Sequence, residues 1–218
     1  MRIIYKNSLP TYLSEWHAAM NAKAIAQGRP YSDLTTPQPA KSLSRQEYSI
    51  CLMLQILEDR LVRAENTLNS PKPDFQAYAE AIVFLDAIYL FMRQLLDSVA
   101  GIVRHFHKFN EKEELPKSFD DLLKKACAKE LPEKLAAALQ KCQRWFPSLK
   151  DRRDDIVHHY ETYLIGISKN ADDKVTFHMF SPRNNSRANV DEDLRSYIGG
   201  VLADYQRLTD DILDYWDW

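Results

Sequence analysis

Glycine is scarce in this chain, five residues in 218, and prolines number ten. With 28% of residues charged, that scarcity leans the backbone toward helices. Neither sign of charge dominates. Lys and Arg total 29 against 31 Asp and Glu, a net charge of -2, so no global field draws nucleic acid and any such contact must rest on a local basic patch. The three cysteines, Cys51, Cys127 and Cys142, make an odd count without a Cys-x-x-Cys pair. Each sits among apolar neighbours in a helical pattern, which predicts buried free thiols in a reducing cytoplasm. Met1 to Trp16 lacks the apolar stretch of a signal peptide. The most apolar run, Ala81 to Phe106, is broken by Asp86, Arg93, Asp97 and Arg104, which argues against a membrane span. Zincin, P-loop, GxGxxG and GxSxG motifs are absent, and without Glu-x-x-His a ferritin-like di-iron site lacks its ligands. His105 and His107 lie two apart on different helix faces, a poor metal pair. No metal and no cofactor are expected.

What the chain does have is apolar material, 45% of residues, arranged with helical period. Residues 1–43 read as an arm, with an amphipathic stretch over Thr11–Gln27 and an extended, Pro-bearing loop from Gly28 to Ser42. Ser44-Arg45-Gln46-Glu47 has capping-box spacing and predicts a helix start, with the end near Asn69-Ser70-Pro71. Pro73-Asp74 opens a second helix that reaches Lys108, about 50 Å at the rise of an α-helix. It is apolar nearly all round, as a central helix is. Its Asp86, Arg93, Asp97 and Arg104 fall within about 40° of one another, forming either a solvent-facing edge or one wall of a cleft. Ser118 to Asp121 resembles another capping box, before a short helix over Phe119–Lys129. Pro132 starts the next helix, ending at Pro147, and Ser148 caps the one after. Tyr163–Ile167 and Val175–Phe180 switch to strand-like runs joined by a turn over Lys169–Lys174. A polar loop, Pro182 to Asn189, carries Arg183 and Arg187, and a strongly periodic helix spans Asp191–Trp216. The expected fold is all-α, an up-and-down bundle of four to six helices over residues 44–218 with a β-hairpin insertion at about 162–180.

The chemistry gathers in Arg152-Arg153-Asp154-Asp155-Ile156-Val157-His158-His159-Tyr160, two guanidiniums, two carboxylates and two imidazoles in nine residues. An Arg grips a phosphate with a planar fork of donors, and a His exchanges a proton near neutral pH. Together they suffice to cut RNA without a metal, the Arg neutralising the phosphoryl oxygens and the His moving the proton. The bland alternative is a polar helix turn with ion pairs from Asp154 to His158 and from Asp155 to His159. Asp151, Asp154 and Asp155 oppose phosphate, while Lys141, Arg144 and Lys150 lie one to two turns earlier to offset them.

Arg153, four residues, His158, one residue, Tyr160 resembles the signature of the HEPN (higher eukaryote and prokaryote nucleotide-binding) family, with Asp154 at the polar position after the Arg. The resemblance covers the helical bundle and leaves out the arm and the hairpin. It implies a homodimeric, cytoplasmic, metal-independent endoribonuclease of the toxin, defence or RNA-processing type, or a member that has lost activity and serves as a dimerisation or RNA-binding module. Arg153 and His158 would be catalytic, Arg152 and His159 their reserves, and Asp97 an orienting carboxylate. In one toxin branch the position matching Tyr160 receives adenylate from a partner nucleotidyltransferase, so an antitoxin or such an enzyme is an implied partner. On an ideal helix Arg153 and His158 point about 140° apart, so one protomer is not expected to assemble the site, and a symmetric dimer would bring Arg and His together.

Overall fold

The computed structural model describes residues 38–67, 74–110, 115–159, 164–169, 175–180 and 193–216, with Ala22 and Ala26 before them. Six α-helices and one hairpin follow in order among these residues: α1 (Gln38–Thr67), α2 (Phe75–Asn110), α3 (Phe119–Cys127), α4 (Glu133–Gln140), a 3-10 turn (Lys141–Arg144), α5 (Phe146–His159), β1 (Leu164–Lys169), β2 (Val175–Phe180) and α6 (Leu194–Trp216). The fold is an all-α bundle with a β-hairpin insertion. The expected amphipathic stretch and loop up to Pro37, the hairpin turn, the loop with Arg183 and Arg187, and Tyr160 lie outside the described residues.

α1 buries Ile50, Leu54, Leu57, Leu61 and Ala64, a 3-4 alternation that lays one stripe along α2. The two helices run antiparallel, since Arg63 pairs with Asp74 at one end and Ser98 donates to Gln46 near the other. Asp74 caps α2 as expected, accepting the Ala77 N–H at 2.9 Å. α2 buries residues along most of its length, from Ala77 to Val103. By length and hydropathy its Phe75–Arg104 stretch could cross a membrane. In this fold α1, α3 and α5 pack on it.

Two helix starts differ from expectation. α1 begins at Gln38, so the Ser44–Glu47 spacing marks no helix end; it falls inside a helix whose first turn holds Pro39, where a missing N–H costs nothing. α5 begins at Phe146 rather than after Ser148: Pro147 sits in its first turn, and the Trp145 carbonyl accepts the Leu149 N–H at 3.3 Å. α3 starts as expected, with the Ser118 hydroxyl accepting the Asp121 N–H at 3.1 Å. Its end is a Schellman turn: Lys129 N–H reaches Ala126, Glu130 N–H reaches Lys125, and Lys129 takes φ 59°. A side chain is strained there, so Lys129→Gly is expected to raise the unfolding free energy by about 0.5 kcal/mol, measured by urea titration. An unchanged or lowered midpoint would mean that the looser unfolded chain outweighs the relieved strain.

The strands pair antiparallel, with Ile165 opposite Met179 and Ile167 opposite Phe177. Ile165 and Phe177 are fully buried, fixing the hairpin over the start of α2 and of α6, where the Arg195 guanidinium covers the Phe177 ring at 5.2 Å. His178 faces the other side and meets the Ser168 hydroxyl at 2.6 Å. α6 is capped by Asp193 and turns Leu194, Ile198, Val201, Tyr205, Leu208 and Ile212 inward, with Tyr197 and Leu202 half-buried beside them. Among the cysteines only Cys142 is buried, its thiol pushed up to about 12 by burial and then by Asp204 and Asp211. Cys51 is half-buried and Cys127 exposed, because Cys127 falls on the outer side of α3's last turn.

Candidate functional site

Helix α5 carries the Arg–His stretch, and its inward line decides which residues remain available. Phe146, Leu149, Arg152 and Ile156 recur at 3-4 spacing on the side that packs into the bundle. Phe146 meets Phe119 edge-on at 5.1 Å and lies under the Arg93 guanidinium at 5.2 Å. Two turns later Arg152 occupies the same line. It is 8% exposed, donates to the Tyr89 hydroxyl at 2.6 Å, and stacks its guanidinium 4.0 Å from the centre of the Tyr197 ring. Arg152 is therefore a tie between α2, α5 and α6, enclosed where no substrate phosphate reaches it, and it cannot stand in for Arg153.

Arg153 points the other way. Its Nη1 lies 2.7 Å from Asp154 Oδ1 and 3.2 Å from His158 Nε2. Arg153 and Asp154 are each about one third exposed, and His158 is exposed. The contact corrects the expectation that one protomer cannot join them. An angle of about 140° separates the two Cα directions, but a long guanidinium side chain sweeps across that gap. A guanidinium only donates, so for this contact to be a hydrogen bond Nε2 must hold the lone pair and Nδ1 the proton. In place of the Asp154–His158 ion pair of the bland alternative, Arg153 lies against both groups. Val157, one residue before His158, also faces solvent. The side chain of His159 lies outside the described residues, like all of Tyr160.

Asp97 is not brought to this pair. One of its oxygens accepts the Phe119 N–H at 2.9 Å and lies 3.2 Å from the Arg93 guanidinium. Arg152 lies opposite Tyr89 and Phe146 opposite Arg93, so α2 and α5 run antiparallel and Asp97 is about 20 Å along the axis from His158. Its role is to satisfy an orphan donor at the start of α3. Asp97→Ala is expected to lower stability by about 1 kcal/mol, read from the urea midpoint, and a wild-type midpoint would remove that role. Nor is the stripe on α2 a plain solvent edge or a cleft wall: at Arg93 and Asp97 it is the polar seam onto which α3 and α5 dock.

No family model, no curated protein and no solved structure matches this chain. The site therefore rests on its own geometry. Among the described residues no group of three His, Cys, Asp or Glu is placed to hold a metal ion. One buried ionisable residue stands apart from the expected set. Glu47 is 2% exposed, and its Oε1 accepts the Tyr205 hydroxyl at 2.6 Å. The sequence did carry a signal for both enclosed charges. Glu47 extends the series Ile50, Leu54, Leu57, and Arg152 lies between Leu149 and Ile156, so each sits on an apolar line where a charge needs a partner.

Proposed function

We propose that the exposed end of α5 is a metal-independent RNA-cleaving site of the HEPN type, with Arg153 and His158 as its working pair. The observation that carries this reading is the 3.2 Å approach of the Arg153 guanidinium to His158 Nε2 on an open surface. One phosphodiester can then meet both groups. Arg153 holds the non-bridging oxygens, and His158 Nε2, carrying its lone pair, accepts the proton of the neighbouring 2′-hydroxyl. The 2′-oxygen bonds to phosphorus, the bond to the 5′-oxygen breaks, and the products are a 2′,3′-cyclic phosphate and a 5′-hydroxyl. The leaving oxygen needs a proton, which a second copy of the chain supplies in a homodimer. Binding begins when the phosphate draws Arg153 away from both Asp154 and His158, which frees the Nε2 lone pair for the 2′-hydroxyl.

That displacement is also what favours a second reading. Arg153 already has a carboxylate at 2.7 Å, Arg152 is enclosed, and Val157 is exposed, a surface that also suits a non-catalytic interaction module. The test is to incubate the purified chain with total RNA in EDTA beside a His158→Ala preparation, and to examine the new ends. Cyclic phosphate ends from the wild type alone support the nuclease. Intact RNA in both, or equal cleavage by both, rejects it.

A further inference from the structure

The last helix meets the first through long side chains. α6 packs closely on α4 and β2, and its bonds to α1 lie at two levels. Near one end Arg195 pairs with Glu58 at 3.0 Å and lies 3.6 Å from Glu65. About 15 Å further along both helices, Tyr205 bonds to Glu47. The outer pair is partly exposed and screened by water, whereas the inner one is enclosed, with Tyr205 1% and Glu47 2% exposed.

Glu47 has little to support a negative charge. Its second oxygen, Oε2, meets no donor among the described residues. From α6 the group facing it is the Tyr205 phenol. On its own helix the Cys51 thiol lies one turn on, pushed up by burial and then by the charge of Glu47. From α2 the polar group at this level is Ser98, which is engaged with Gln46 at 2.8 Å. No described lysine, arginine or histidine pairs with Glu47. An ionised carboxylate here would hold a full charge against one neutral donor.

We propose that Glu47 locks α6 to α1 as a neutral acid beside Tyr205, and that its ionisation releases the lock by leaving a charge there without water, a cost that outweighs the firmer bond the phenol makes to a carboxylate. Burial pushes its carboxyl up to about 8 from 4.5, against a smaller downward pull from the Tyr205 hydrogen bond. The folded chain thus binds a proton that the unfolded chain has lost. The resulting stabilisation is complete below pH about 4.5, declines as pH rises, and is gone once pH passes about 8. α6 also carries Tyr197 over Arg152, so its release reaches the base of the helix bearing Arg153 and His158. The lock itself does not depend on that pair cutting RNA.

Two measurements on the full chain decide it. Infrared difference spectra of wild type against Glu47→Gln are expected to show the carbonyl band of a buried, protonated carboxylic acid at about pH 6, lost by about pH 9.5. Hydrogen exchange of the α6 amides, corrected for the intrinsic effect of pH, is expected to lose protection about a hundredfold over that range in wild type and not in Glu47→Gln. A missing band at the lower pH, or equal loss of protection in both proteins, overturns the proposal. Tyr205→Phe keeps the ring and removes the donor, so the band should persist to higher pH. If Glu47→Gln does not fold, a band that titrates identically in wild type and Tyr205→Phe overturns the proposal as well.

Discussion

His158→Ala is expected to slow RNA cleavage in EDTA by about 10²–10⁴-fold, the range for losing a side chain that transfers the proton. Its unfolding midpoint should stay at the wild-type value. His158 is exposed, and its bond among the described residues is to Arg153, which keeps Asp154 when the ring is gone. The core residues of α5 lie on the opposite side, at Phe146 and Leu149. Initial rates on one end-labelled RNA, taken with urea unfolding of the same preparation, separate chemistry from folding. A variant that cuts at the wild-type rate rules His158 out. A variant whose midpoint falls with its rate leaves the ring a structural part and withdraws the assignment too.

The adjacent arginine gives the second large effect, in stability. Arg152→Ala is expected to cost about 2–5 kcal/mol, the range for truncating a large buried side chain. The substitution removes the donor at 2.6 Å from the Tyr89 hydroxyl, uncovers the face of Tyr197, and leaves a void where three helices meet. Arg152→Met fills the same line without a charge to bury and should recover most of the loss. Arg152→Lys should not, because an ammonium lacks the flat guanidinium that stacks on Tyr197. Urea midpoints order the four proteins. Alanine and methionine variants of equal stability would show that the cage around position 152 contributes little.

Much of this architecture was legible. The apolar spacing of α1, α2 and α6, the Asp74 and Ser118 caps, and the change to period two at Leu164 and Val175 are local signals, and each element formed close to where its signal lies. The misplaced starts share a physical cause: each helix holds a proline in its first turn, Pro39 in α1 and Pro147 in α5, where the missing N–H costs nothing. A Ser-x-x-Glu spacing occurs by chance inside helices, and here the Glu is claimed by Tyr205 from the far end of the chain. The same distance effect governed the site. Two neighbouring arginines look alike in a motif. Which one is enclosed depends on Tyr89 and Tyr197, contributed by α2 and α6. Asp97 lay on the right helix yet was taken by the start of α3, a contact no spacing within α2 could reveal. The Arg153–His158 approach was hidden because ideal helix angles describe backbones, not the reach of long side chains.

Arg152 and Arg153 share one letter and a peptide bond, yet they should drift under opposite rules. The inner position is constrained by shape, so over time it can exchange its charge for bulk but not its flatness for a flexible amine. The outer one is constrained by charge and has slack in its outline. Because successive side chains on a helix are turned by about 100°, a single residue deleted upstream in α5 would carry Arg153 into the enclosed place and turn Arg152 out to the exposed one that Asp151 holds. The length of the segment between Phe146 and Arg152 therefore decides which arginine is enclosed, more than the letters that fill it do.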